Sequence, residues 1–259
     1  MTHPGAYLYA TQEAPLGDRI SILLNDSAAT PVDFRVNTIL VPNSLSPEGG
    51  ADVADVYRSL PYLDYDTVIS IAPSRGEQFK RITVCSMDVY SSALGEVRID
   101  DLVRNELCDE DDDIFLDDRG HFSGTGMDVQ LPFLQRTLKD FSVVPLVMGT
   151  ETVDYCKELG SAIGEIMSNR NTLVLACVDV VEASEKGMDL FRSHLTNLDI
   201  TAMMVLLNQE SEIKVEGKGP VLVAMIAATR RRADVVRITE MNSAFNGRQG
   251  FTGALIGRY

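Results

Sequence analysis

Histidine is scarce in this chain of 259 residues: there are three, His3, His121 and His194. Three such dispersed imidazoles cannot build a histidine-rich metal site. His121 lies in a glycine-rich loop and His194 in a helical stretch beside Arg192, so each reads as a surface or capping residue. The four cysteines, Cys85, Cys108, Cys156 and Cys177, form no CxxC pair, which removes a zinc knuckle. Most sit in or beside apolar runs, as reduced thiols of a cytoplasmic protein do. No apolar run approaches the roughly 20 residues of a membrane helix. The opening MTHPGAYLYATQEAP lacks the basic region and apolar core of a secretion signal. Basic residues are outnumbered, 23 against 38 acidic, for a formal charge of −15. That balance opposes nucleic-acid binding and docking on anionic membranes. A dinucleotide GxGxxG, a phosphate-binding GxxxxGK[ST] and a GxSxG nucleophile elbow are all missing.

What remains is an ordinary globular composition, 45% hydrophobic and 24% charged, with enough chain for a large core. Apolar runs of strand length occur at 36–42, 68–72, 82–85, 141–149, 172–179, 233–239 and 250–257. Between them lie stretches of helical spacing at 51–60, 101–107, 127–140, 152–169, 188–197, 200–209 and 220–229, the last apolar all round and therefore buried. Residues 19–24 fit either a short strand or a helix. Such alternation predicts an α/β fold with helices on both faces of the sheet. There is no linker-like composition and no repeat, so residues 1–259 read as one domain. The acidic run DEDDDIFLDD at 109–118 reads as a solvated loop. Its Ile114-Phe115-Leu116 breaks the alternating oxygen ligands that a calcium loop needs.

The stretch from Thr67 to Asp101 organises the rest. An apolar strand runs into Pro73-Ser74-Arg75-Gly76, a turn at a strand's C-terminal end, where ligands sit in open α/β sheets. On pattern alone Ser74, Arg75 and Gly76 are pocket candidates.

Ala72-Pro73-Ser74-Arg75-Gly76, then Ser86-Met87-Asp88-Val89-Tyr90 and Leu94-Gly95-Glu96-Val97-Arg98-Ile99-Asp100, resemble the Memo family. The likeness extends over about Val36 to Leu255. It implies a single three-layer α/β/α domain with a mixed, mostly parallel sheet, like that of the class III extradiol dioxygenases. It also implies a metal pocket built from loops at several strand ends. In the family's histidine positions this chain has Asn43 in Pro42-Asn43-Ser44-Leu45, and Arg75 and Gly76 in the turn. Asp128 and Gln130 stand in Met127-Asp128-Val129-Gln130-Leu131-Pro132. Asp179 is kept, Glu182 replaces a histidine, and Glu216 stands near a cysteine position.

Amide, guanidinium and glycine do not replace imidazole nitrogen in the two-histidine, one-carboxylate site of non-haem iron chemistry. The expectation is therefore no metal and no cofactor. The residues left there are polar: Asn43, Ser44, Ser74, Arg75, Gln130 and Asp179 as ligand-binding candidates, and Asp128, Asp179, Glu182 and Glu216 as catalytic ones. Two arrangements stay open. Arg75 grips the carboxylate or phosphate of a small ligand, or it pairs with Asp179 or Glu182 in a collapsed cleft. Correspondingly, the protein binds a protein partner or a small polar or anionic ligand, alone or as an oligomer. Otherwise it is an enzyme with a carboxylate-held metal or a metal-free acid/base site. Arg231 reads as an exposed arginine outside this group.

Overall fold

A computed structural model describes residues 16–44, 50–60, 64–109, 113–240 and 251–259. The opening residues with His3, Leu45 after Ser44, and Gly250 at the start of the last apolar run lie outside them.

Among the described residues the helices are α1 (Leu16–Asp26), α2 (Ala51–Arg58), α3 (Asp101–Asp109), α4 (Met127–Thr137), α5 (Val153–Ile166), α6 (Glu185–Thr196), α7 (Ile200–Gln209) and α8 (Lys218–Arg230). The strands are β1 (Arg35–Val41), β2 (Thr67–Pro73), β3 (Ile82–Val84), β4 (Val89–Ser92), β5 (Gly95–Arg98), β6 (Ile114–Leu116), β7 (Ser142–Met148), β8 (Thr172–Cys177), β9 (Asp179–Ala183), β10 (Ile213–Glu216), β11 (Val235–Glu240) and β12 (Phe251–Arg258). Eight strands form one sheet in the order β11-β12-β1-β8-β2-β7-β3-β6. β1, β8, β2 and β7 run parallel at its centre, and β12 and β3 are antiparallel to their inner neighbours. The four central strands thus end on one edge.

Both faces are covered, and β8 shows why its run is apolar without a break. Leu173, Leu175 and Cys177 enter one core while Val174, Ala176 and Val178 enter the other, because successive side chains of a strand point to opposite faces. One core is closed by α3, α5, α6, α7 and α8, the other by α1, α2, α4 and the β4–β5 hairpin. The three-layer expectation therefore holds. α8 is buried from Gly219 to Met225, as its all-round apolarity requires. It lies close on α5 because Gly160 and Gly164 face Ile226 and Arg230, where a Cβ would come within 2.8 Å.

Two expectations change. Within the acidic run, Ile114–Leu116 is not loop but an edge strand, β6, paired parallel to β3. Ile114 is buried beneath it, and the flanking acids are engaged: Asp113 with Arg81, Asp117 with Arg119, Asp118 with the Ser86 N–H. Charged flanks discourage further strand pairing on such an edge. The other change is the β9–β10 pair, too short to stand out in the sequence. No helix among the described residues is long and apolar enough to cross a membrane.

Candidate functional site

The family-like motif of residues 86–100 serves the scaffold. Asp100 caps α3 by accepting the Val103 N–H, 3.1 Å, and also accepts the Thr67 hydroxyl, 2.5 Å. Tyr90 donates to Asp128 Oδ1, 2.8 Å, tying the hairpin to the start of α4.

At the C-terminal edge of the sheet the chain turns after each central strand. Asn43 and Ser44 follow β1, Ser74 and Arg75 follow β2, Glu151 follows β7, and Asp179 opens β9 just beyond β8. β10 brings Glu216 directly opposite Asp179 in an antiparallel register. The next residue, Gly217, caps α8 at φ 89°, and a Cβ there would lie 2.3 Å from the Cys177 carbonyl. Only glycine allows the helix to start so close to the strand end.

Asp179 is the hub. Its Oδ1 accepts the Asn43 backbone N–H at 3.0 Å and its Oδ2 the Ser44 hydroxyl at 2.6 Å. Burial raises its pKa above the ordinary carboxylate range, and the nearby Glu216 charge adds to that, against the lowering from its hydrogen bonds. Asn43 is fully buried and donates through Nδ2 to Glu216 Oε1 at 3.4 Å, while its Oδ1 has no hydrogen-bond partner. Arg75 reaches Glu216, not Asp179 or Glu182: Nε lies 3.5 Å from Oε1. Its side chain is 49% exposed, so the cleft is not collapsed around it, and such a pair contributes about 0–1 kcal/mol. Gly76 next to it has φ 82° and open space where a Cβ would be. Ser74 turns its hydroxyl onto the Glu77 carbonyl.

The remaining candidates are placed elsewhere. Asp128 accepts from Tyr90 and from the Gly124 N–H at 2.7 Å. Gln130 is fully buried, donating to the Pro42 carbonyl at 2.8 Å and accepting from the Tyr57 hydroxyl at 3.0 Å. Gln130 thus holds α4 against the β1 turn, and Asp128 holds its start to the β4–β5 hairpin. Glu182 is exposed on β9, across from Lys214, outside these bonds.

Two residues escaped sequence reasoning. Glu151 accepts the Gly219 N–H at the start of α8, a carboxylate supplied from another strand end to a helix without a side-chain cap of its own. Burial pushes its pKa up. It stands two residues after Gly149, and an acid just beyond an apolar strand is its signal in the sequence. His121, expected at the surface or as a cap, is buried with Nε2 3.4 Å from the Thr83 hydroxyl, and burial lowers its pKa to about 4.

These residues do not fit the imidazole-held ion that the resemblance implies. Both Asp179 oxygens are spent on protein donors, Asn43 presents N–H groups to both acids, and a guanidinium sits beside them. A like charge at ~4 Å costs about 4 kcal/mol per unit charge at an effective dielectric of 20. Among the described residues no three His, Cys, Asp or Glu side chains are grouped to hold a metal.

A sequence profile described as "Memo-like protein" matches residues 1–244. A MEMO1 family protein of Sulfolobus acidocaldarius is 27% identical over 173 residues, 64% of this chain and 61% of that protein. The match thus spans less than two thirds of that relative's length. One from Methanobrevibacter smithii is 27% identical over 203 residues, 75% of this chain and 71% of that protein. In fold, the chain is similar to the crystal structure of an uncharacterized protein from Escherichia coli K12, with a TM-score of 0.53 at 14% identity, over 86% of this chain and 100% of that one.

Proposed function

The chain belongs to the Memo-like family, and on that premise we propose that it is a binding member in which metal chemistry at the strand ends has been abandoned. The observation that carries this reading is Asp179: the carboxylate kept from the family's strand-end motif has each of its oxygens engaged by a protein donor, the Asn43 N–H and the Ser44 hydroxyl. What faces outward is Arg75. Its Nε is engaged by Glu216, and its Nη groups make no hydrogen bond among the described residues. A guanidinium edge of that kind takes a carboxylate or phosphate through paired hydrogen bonds. The ligand is then a small polar or anionic molecule, or an acidic side chain of a protein partner. Glu216 beside Arg75 disfavours highly charged anions, so a singly charged group suits the position.

Thermal shift with acetate, formate and a short acidic peptide tests the reading. Stabilisation is expected in the intact protein, about ten-fold weaker in apparent affinity for Arg75→Ala and partly restored in Arg75→Lys. Indistinguishable responses of the intact protein and Arg75→Ala would sink it.

An acid/base enzyme is the second reading, favoured by the raised pKa values of Asp179 and Glu151. It requires that Asp179→Asn abolish a turnover that Arg75→Ala leaves in place.

A further inference from the structure

At the opposite edge of the sheet, where the parallel strands begin, lies a cavity of about 450 Å³. Four arginines line it, Arg35, Arg170, Arg231 and Arg258, against one acid, Asp33. In a chain with a formal charge of −15 such a concentration of cations is unusual. Arg231, expected on the open surface, is half-buried in this wall.

The arrangement is electrostatically incomplete. Arg35 and Arg258 are direct partners across the β1–β12 ladder, where like charges repel. Arg35 donates to the neutral Asn171 Oδ1 at 3.2 Å, and neither it, Arg258 nor Arg231 has an ion pair among the described residues. Arg170 is balanced by Glu106, 3.2 Å away. Helix dipoles account for part of the cluster, because α5 and α8 end here and a helix C-terminus carries roughly half a negative charge. They explain Arg170 and Arg231. They do not explain two arginines facing each other on strands.

The cavity wall also includes Thr172 at the start of β8, but its hydroxyl is sealed from solvent and is not a ligand contact. The size is that of a small-metabolite site, and the exposed ring of Tyr259, edge-on to Phe34 at 5.9 Å, forms one wall.

We propose that this cavity is an anion site for a small molecule bearing a diphosphate group, gripped by Arg35, Arg231 and Arg258. Guanidinium forks match phosphate oxygens in pairs, and a doubly charged group relieves the Arg35–Arg258 repulsion. The site is separate from the one around Arg75, and neither depends on the other.

Calorimetric titration of the intact chain with inorganic pyrophosphate and with ADP tests it. Saturable binding is expected, weakening as salt rises. Affinity should fall at least about ten-fold in Arg35→Ala/Arg258→Ala and in Arg258→Gln, and be unchanged in Arg75→Ala. ADP clearly tighter than pyrophosphate assigns a nucleotide with its base on Tyr259; equal affinities assign the diphosphate alone. No binding of either probe at millimolar concentration, or equal binding by the arginine variants, overturns the proposal.

Discussion

The two edges of the central sheet have been finished in opposite ways. At the C-terminal edge acids gather, and their oxygens are used inward, Asp179 by Asn43 and Ser44 and Glu151 by the start of α8, as is Gln130 by Tyr57 and Pro42; the Asn43 Oδ1 and the Arg75 Nη groups are left over. At the N-terminal edge arginines gather, and three have no carboxylate partner among the described residues. Self-satisfied polar groups hold a fold; unsatisfied ones await something from outside. The difference teaches that, where the resemblance suggests chemistry, the acids of this chain are tied to its own donors, whereas the cations at the other edge are not balanced by its acids.

Substitutions should separate the edges by size of effect. Gly217→Ala should be the most damaging, by about 3 kcal/mol or more, since it combines a left-handed residue with a 2.3 Å approach to a carbonyl. Urea unfolding measures it, and a loss below about 1 kcal/mol would mean that α8 shifts freely away from β8.

Next comes pH. His121 has a native pKa near 4 against an ordinary 6.5, so the unfolded chain takes up the proton first on acidification. Its contribution to stability is complete above about 6.5 and falls by up to about 3 kcal/mol as pH drops to 4. Asp179 and Glu151 run the other way: with native values raised, the folded state binds the proton first, and stability from them grows as pH falls toward the ordinary carboxylate value. His121→Gln should flatten the loss, and Asp179→Asn should deepen it. An unchanged pH profile in His121→Gln would contradict the burial argument.

Asp179→Ala strands the Asn43 N–H and the Ser44 hydroxyl, at a cost of about 2 kcal/mol. Smallest are the arginines. Arg75→Ala should cost under about 1 kcal/mol, and Arg258→Ala should be neutral or stabilising by a few tenths, because it removes a like-charge cross-strand pair. A clearly destabilised Arg258→Ala would turn the arginine edge into scaffold and erase the comparison.

The central strands and most helices were legible because each is a long run with one period: β2, β7 and β8 are mostly apolar and buried throughout or nearly so, and α5 carries its stripe through Cys156, Leu159 and Ile163. What was hidden is short or nonlocal. β6, β9 and β10 have three to five residues each, too few for a period to show. The residue types at the strand ends were legible too, but their partners were not. Whether Arg75 meets Asp179, Glu182 or Glu216 depends on the β9–β10 register, which places Glu216 opposite Asp179 and leaves Glu182 facing Lys214. The arginine cavity had no motif at all, because its cations come from β1, from β12 and from beyond the ends of α5 and α8, and only folding assembles them.

The central claim is that the strand-end cluster around Asp179 is a hydrogen-bonded scaffold and not a metal centre. Elemental analysis of protein purified without chelator, then equilibrated with iron(II), copper(II) and zinc(II) and desalted, tests it most directly. The account predicts far less than one ion per chain for each metal, unchanged in Asp179→Ala. Near one ion per chain, lost in Asp179→Ala, would contradict it.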